Sequence, residues 1–267
     1  SQEAVDKFEK LLASKYKYKK LANLGFGESD SKRATFLNQV ITLKDGKPRV
    51  LEVEADSRHA EIIVADLGLQ NSRGIDAPAA KLSTEQQMID SKSPLLERER
   101  CEKFRSLTMR GSYLAQDWID LNEATKTLAR SMSAPREASW ERLMRFGKYL
   151  VKHPSLTRTF VQQNLSDKIR TLVDSDHAGC AVTRKSTTGM VSKLGSHTVK
   201  HRSNMQTTIA LSSGESGFYA LVKGFATALG MQSLLIDWGL HYTCEVASDS
   251  LAARGHVQRL SLRHTRS

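Results

Sequence analysis

Cysteine is scarce in this chain, and the three present, Cys101, Cys180 and Cys244, are scattered and odd in number. No Cys-x-x-Cys pair occurs, which argues against a disulfide framework or a zinc ribbon and fits a reducing compartment, cytoplasmic or nuclear. No uninterrupted apolar run approaches a membrane span, and Ser1-Gln2-Glu3-Ala4 does not open a signal peptide. The expectation is an intracellular chain with no membrane partner. Also missing is a surplus of acid: 40 Lys and Arg stand against 29 Asp and Glu, a net charge of +11.

What is present is a globular balance, with 39% hydrophobic and 26% charged residues in 267. That length suits one large domain or two ordinary ones. Nucleic acid is the commonest polyanion to explain such a positive excess, through phosphate contacts and counterion release; a merely soluble basic protein is the other reading. From Val161 onward, 12 Lys and Arg face 7 Asp and Glu. Acids kept inside a basic segment suit a metal site that faces a phosphate backbone.

The spacing of Val5, Phe8, Leu11, Leu12 and Tyr16 predicts a helix opening the segment Gln2 to Leu24. Phe36 to Leu43 reads as a strand, Lys44-Asp45-Gly46-Lys47 as a tight turn and Pro48 to Val53 as the returning strand. A short helix follows, capped at Asp56 or Ser57 and ended by Gly68, with His59 as a surface or packing residue. Gln70 to Pro94, poor in apolar residues, reads as an extended linker or mobile loop. Three apolar helical stripes then run from Leu95 to about Val151, the last stopped by His153-Pro154.

After Pro154 the period turns from helical to β. Strands are expected at Ile169 to Val173, Thr188 to Leu194, Thr198 to His201 and Tyr242 to Ala247. A long helix from Ser213 to Trp238 precedes the last of them, and another begins at Ser250. His197 and His201, on paired strands, are expected at the surface. The order indicates an α/β fold with a mixed sheet and helices packed on it. Three polar clusters sit where these elements end or begin: Asp174-Ser175-Asp176, Ser212 to Gly217, and Ser248-Asp249-Ser250. An acid at a strand end is costly unless used or solvated, and the three clusters read as the remains of a carboxylate metal site.

Gly111-Ser112-Tyr113-Leu114-Ala115 with Asp120-Leu121, then Leu128-Ala129-Arg130-Ser131-Met132-Ser133-Ala134-Pro135 with Trp140 and Lys148-Tyr149-Leu150, resemble the Pol polyprotein of copia-type LTR retrotransposons. Asp174-Ser175-Asp176-His177-Ala178-Gly179-Cys180, Thr183 to Gly189 and Ala210-Leu211-Ser212-Ser213 are similar to that family's ribonuclease H domain. The resemblance covers essentially the whole chain. It implies a thumb/connection-like region over 1–155, α+β and mainly helical. It also implies an incomplete ribonuclease H-like domain over 156–267, a mixed sheet with flanking helices. The implied substrate is an RNA–DNA hybrid, whose RNA strand is cut with two Mg²⁺ (or Mn²⁺) ions; the implied partner is the upstream polymerase fingers and palm.

By position in the motifs, Asp174 matches the first metal-binding and catalytic acid and Asp249 the third. The second falls on Gly217. Glu215, two residues earlier, sits about 200° around a helix and also fits a capping box with Ser212; capping and replacement of the lost acid are its two readings. Asp176 shares the face of Asp174 if the strand continues, or caps or is solvated in a loop. Arg263-His264-Thr265 is similar to the start of the family's last motif, so the resemblance further implies that the last helix and fourth acid are missing. No Tyr-x-Asp-Asp signature occurs, so no polymerase activity is expected.

The implied function is an impaired ribonuclease H. The alternative is a non-catalytic nucleic-acid-binding remnant using Arg184, Lys185, Lys193, Lys200 and Arg202 on phosphates. A serine hydrolase is disfavoured, because Gly214-Glu215-Ser216-Gly217 puts Phe where a nucleophile elbow has its last Gly. A helical adaptor role for the first half is the bland remaining option.

Overall fold

The computed structural model describes residues 2–164 and 166–264. Ser1, Leu165 and the stretch from Thr265, the end of the Arg263-His264-Thr265 motif, lie outside the described residues. Contacts divide the chain into two compact units, residues 1–54 with 157–162 and residues 55–156 with 163–267. This boundary differs from a motif division at 155/156 because a strand just past Leu156 joins the first unit.

The first unit holds helix α1 (Gln2–Lys15) and a four-stranded antiparallel sheet in the order β1 (Arg33–Phe36), β2 (Gln39–Lys44), β3 (Val50–Glu54), β4 (Thr157–Val161). The expected hairpin is present, with Lys44 opposite Val50. The strand expected from Phe36, however, is broken into β1 and β2 by Leu37 and Asn38, both at positive φ (50° and 63°). Two consecutive left-handed residues make the tight turn whose twist suits a hairpin, and Asn tolerates that region. β4 was not visible in the sequence pattern. The opening helix ends at Lys15, next to Tyr16, the last residue of the helical spacing.

The second unit has a helical part and a sheet part. Helices α2 (Arg58–Asp66), α4 (Arg98–Leu114), α5 (Asn122–Ala129) and α6 (Glu137–Lys152) surround one core, and α3 (Thr84–Asp90) lies outside it. Phe104, Leu107, Trp118, Leu121, Leu128, Leu143, Phe146 and Leu150 are almost wholly buried in it. Gly111 on α4 lets Phe146 approach, since a methyl group there would lie 3.1 Å from the ring. The segment Gln70–Pro94 is not an open linker. Ser83 accepts a hydrogen bond from Gln86 N–H at 3.1 Å to cap α3, Ile75 and Ala79 pack on the helical core, and Asp90 pairs with Arg142.

The second sheet runs β7 (His197–Met205), β6 (Thr187–Leu194), β5 (Lys168–Asp176), β8 (Thr243–Ala247). β5 pairs antiparallel with β6 and parallel with β8, and β6 pairs antiparallel with β7. A parallel neighbour requires a crossover, and helix α7 (Ser213–Asp237) supplies it between β7 and β8. Helix α8 (Leu251–His264) lies against α7. Along β5, Ile169, Thr171 and Val173 are buried while Arg170, Leu172 and Asp174 are exposed, the period of two expected of a strand. The buried set meets α7: a methyl group at Gly224 would stand 2.6 Å from Val173 Cγ1 and 3.0 Å from Val246 Cγ1. The chain is thus mixed α/β, with two sheets and helices. By length and composition α7 is apolar enough to cross a membrane, contrary to expectation; its buried residues, Ala220, Leu221, Gly224 and Ala228 among them, show a helix packed on a sheet.

Candidate carboxylate site

Asp174 lies near the end of β5 and Asp249 just past β8. Leu172 and Ala247 are the last register pair between these parallel strands. Asp174 is two residues beyond Leu172, still within β5, and Asp249 is two beyond Ala247, in the bend that follows β8. Neighbouring strands are about 4.8 Å apart. Both side chains are exposed. The Asp174 carboxylate accepts a hydrogen bond from Ser175 N–H at 2.7 Å.

The third corner is closed by packing. A methyl group at Gly217 would stand 2.9 Å from Ser250 Oγ, 3.1 Å from Ser250 Cβ and 3.0 Å from Ala253 Cβ. Gly217 therefore faces the start of α8, and Ser250 and Ala253 occupy the space a longer side chain needs. Gly214, one turn earlier, meets Ala252 in the same way at 3.0 Å. Among the described residues, no three His, Cys, Asp or Glu side chains come together as a metal-holding group.

Glu215 is committed elsewhere. Its carboxylate accepts from Leu211 N–H at 2.8 Å and from the Tyr219 hydroxyl at 2.7 Å, while Ser212 Oγ accepts from Glu215 N–H at 3.1 Å. The Tyr219 hydroxyl, then the Leu211 amide, hold its pKa below the ordinary 4.5. The capping geometry is one residue longer than a standard capping box, since Glu215 reaches Leu211 rather than Ser212. Asp176 turns onto its own loop: its carboxylate lies against Gly179, where any side chain would collide with it.

The basic residues do not share one face. Arg184 is exposed and Lys185 half-buried, both in the loop between β5 and β6, Arg184 at a φ of 58°. Lys200 and Arg202 are exposed on edge strand β7, opposite the buried Ser192 and Met190 of β6. Lys193 pairs with Arg170 and points to the other side of the sheet. Ser216 is fully buried in a helix, its Oγ 3.1 Å from Ser175 Oγ and donating to Ser213 O at 2.9 Å; this is no nucleophile elbow.

Asp174 also lines a cleft of about 390 Å³ on the face of the sheet away from α7. Leu172 and Val191 belong to its sheet wall, and Ile119, Asp120, Asn122 and Glu123 come from the helical part. His201, expected at the surface, is in this cleft, its Nδ1 2.8 Å from Asn122 Nδ2. His59 is a packing residue, 3.2 Å from Arg110 and tilted at 58° against the Tyr113 ring.

Two relatives add to this picture. A 168-residue stretch is 27% identical to the uncharacterized mitochondrial protein AtMg00810 of Arabidopsis thaliana, covering 62% of this chain and 67% of that protein. A 102-residue stretch is 34% identical to Secreted RxLR effector protein 161 of Plasmopara viticola, covering 38% of this chain and 71% of that protein. The chain belongs to the same family as this second relative. No known family profile and no solved structure matches the chain. Sequence reasoning missed Asp120, Asn122, Glu123 and His201 as neighbours of Asp174. Their only signal was Asp120-Leu121 in the first motif, which says nothing about a sheet some 50 residues later.

Proposed function

We propose that the chain is a fragment of a copia-type Pol polyprotein, with a thumb/connection-like region over 1–155 and a ribonuclease H-like domain over 156–267. It binds RNA–DNA hybrid and cleaves the RNA strand weakly. The observation that carries the reading is that Asp174 and Asp249 each follow by two residues the last register pair of parallel neighbours β5 and β8, with Gly217 against Ser250. An antiparallel β5–β6–β7 meander, a crossover helix and a parallel fourth strand agree with it.

Two carboxylates suit one hydrated Mg²⁺ or Mn²⁺, which keeps several waters and takes one or two protein oxygens. When bound, such an ion activates water and stabilises the leaving oxygen. Asp174 and Asp249 would hold it; Glu215 and Asp176, engaged by Tyr219 and by the Gly179 loop, would not. With Gly217 in place of a third carboxylate, a second ion lacks its ligand, which accounts for weak catalysis. Lys193, on the same face of the sheet as Asp174, and Arg184 and Lys185 in their loop would contact phosphates, with Lys200 and Arg202 at the other face. The upstream polymerase fingers and palm would be the natural neighbour, in an intracellular setting.

The second reading is a binding remnant without chemistry, favoured by the closed corner at Gly217. Fluorescence anisotropy with a labelled hybrid, at 50 and 200 mM salt, together with a cleavage assay in Mn²⁺, separates the two. Binding that weakens steeply with salt, with slow cleavage abolished by Asp174→Asn, supports the enzyme. Binding alone supports the remnant, and no binding at low salt overturns both.

A further inference from the structure

The helical and sheet parts of the second unit keep separate hydrophobic clusters. One holds Phe104, Leu121, Leu143 and Phe146, the other Val173, Met190, Ala220, Leu221 and Ala253. Polar contacts join the parts. Asn122 Nδ2 and His201 Nδ1 are 2.8 Å apart, Ser203 Oγ donates to Glu123 Oε2 at 2.7 Å, and Lys126 Nζ donates to Thr187 Oγ1 at 3.0 Å. Farther along, Ala181 N–H donates to Gln87 Oε1 at 3.1 Å, and the Arg130 guanidinium meets Cys180 Sγ. Between the parts lies the cleft of about 390 Å³, in which Leu172 and Ile119 remain 41% and 43% exposed. Asp174 lines it from the sheet, and α5 and the turn at Ile119–Leu121 wall the other side.

Water reaches Asp174 in this arrangement, but a cleft of that volume does not admit a duplex. Interfaces that are small and polar between separately cored parts permit relative motion by default, and hydrogen bonds exchanged for water contribute only modestly. Resting on the ribonuclease H-like reading, we infer that this polar seam is a gate: α5 lies across the Asp174 face of the sheet, and hybrid binds when the seam opens. Opening also releases Arg130, whose charge then faces the same side as the incoming phosphates.

The test is a loosened chain, Asn122→Ala, Glu123→Ala and Lys126→Ala together, which removes one acid and one base and so leaves net charge unchanged. Amide hydrogen exchange should quicken several-fold in β6 and β7 beside α5 while α4 and α6 stay protected, and the labelled hybrid should bind about threefold or more tighter than to the unmodified chain. If the triple variant does not fold, Ser203→Ala alone should give the same two changes at smaller size. Unchanged exchange overturns the gate. So does faster exchange without tighter binding by a chain that does bind hybrid, and that outcome leaves the functional reading standing. Failure of both proteins to bind hybrid overturns the functional reading and the gate with it.

Discussion

The two hydrophobic clusters of the second unit are built differently. Among the described residues the helical cluster has sixteen buried residues, and most are large: Phe104, Trp118, Phe146 and a run of leucines. The cluster beneath the candidate carboxylate site has, among the described residues, five, two of them alanines, and it is tightened by glycines rather than by bulk. Hydroxyl and amide contacts supplement it. Thr171 Oγ1 and Ser192 Oγ are 2.9 Å apart, and Gln206 Nε2 donates to Thr188 Oγ1 at 3.1 Å and to Ser216 O at 2.9 Å. Stability is concentrated where no chemistry is proposed, and the region holding the acids depends on close backbone approach. A site built that way tolerates loss of a ligand more easily than gain of one, because adding atoms at Gly217 meets Ser250 and Ala253.

Truncating the helical core should have the largest effect. Phe146→Ala removes a fully buried ring and is expected to cost about 3–5 kcal/mol, measured by urea unfolding. A loss no greater than that of Met190→Ala in the smaller cluster would break the contrast between the two. Next comes overpacking at the sheet. Gly224→Ala places a methyl 2.6 Å from Val173 Cγ1 and should destabilise by about 1–3 kcal/mol, whereas the same change at Gly230, with no atom within 4 Å, should be neutral or stabilising.

The closed corner gives a third comparison. Gly217→Glu alone should fail to raise Mn²⁺ affinity, because its side chain starts against Ser250. Combined with Ser250→Gly, which clears the contacts at 2.9 and 3.1 Å, it should raise affinity measurably in a titration followed by electron paramagnetic resonance. The smallest effect is expected at the start of α7. The Glu215 carboxylate has a folded pKa below 4.5, so the stabilisation it gives is full above that value and is lost as pH falls through the lower folded value. Glu215→Gln should flatten that part of the stability-versus-pH curve and leave neutral pH nearly unchanged.

Much of the fold was legible because its elements have strong periods: the helical stripes ending at Pro154, and the alternation around Thr171 and Val191. The hairpin at Leu37-Asn38 was hidden because it uses two left-handed residues without a glycine. β4 escaped because Thr157–Val161 joins a sheet whose other strands lie some hundred residues earlier. At the site, Asp174, Asp249 and the capping role of Glu215 follow from position in a motif and rotation along a helix. The cleft did not follow, since its walls come from α5 and from β5 to β7 and no local pattern joins them. Nor did the crowding at Gly217, which depends on α8 lying one glycine width from α7.

The central claim is that Asp174 and Asp249 together hold one divalent ion. Mn²⁺ binding to the full chain, followed by electron paramagnetic resonance, tests it most directly against Asp174→Asn and Asp249→Asn. A single weak ion lost in either variant, with Glu215→Gln and Asp176→Asn unaffected, is the expected result; binding that survives both changes, or that depends on Glu215 or Asp176 instead, would contradict it.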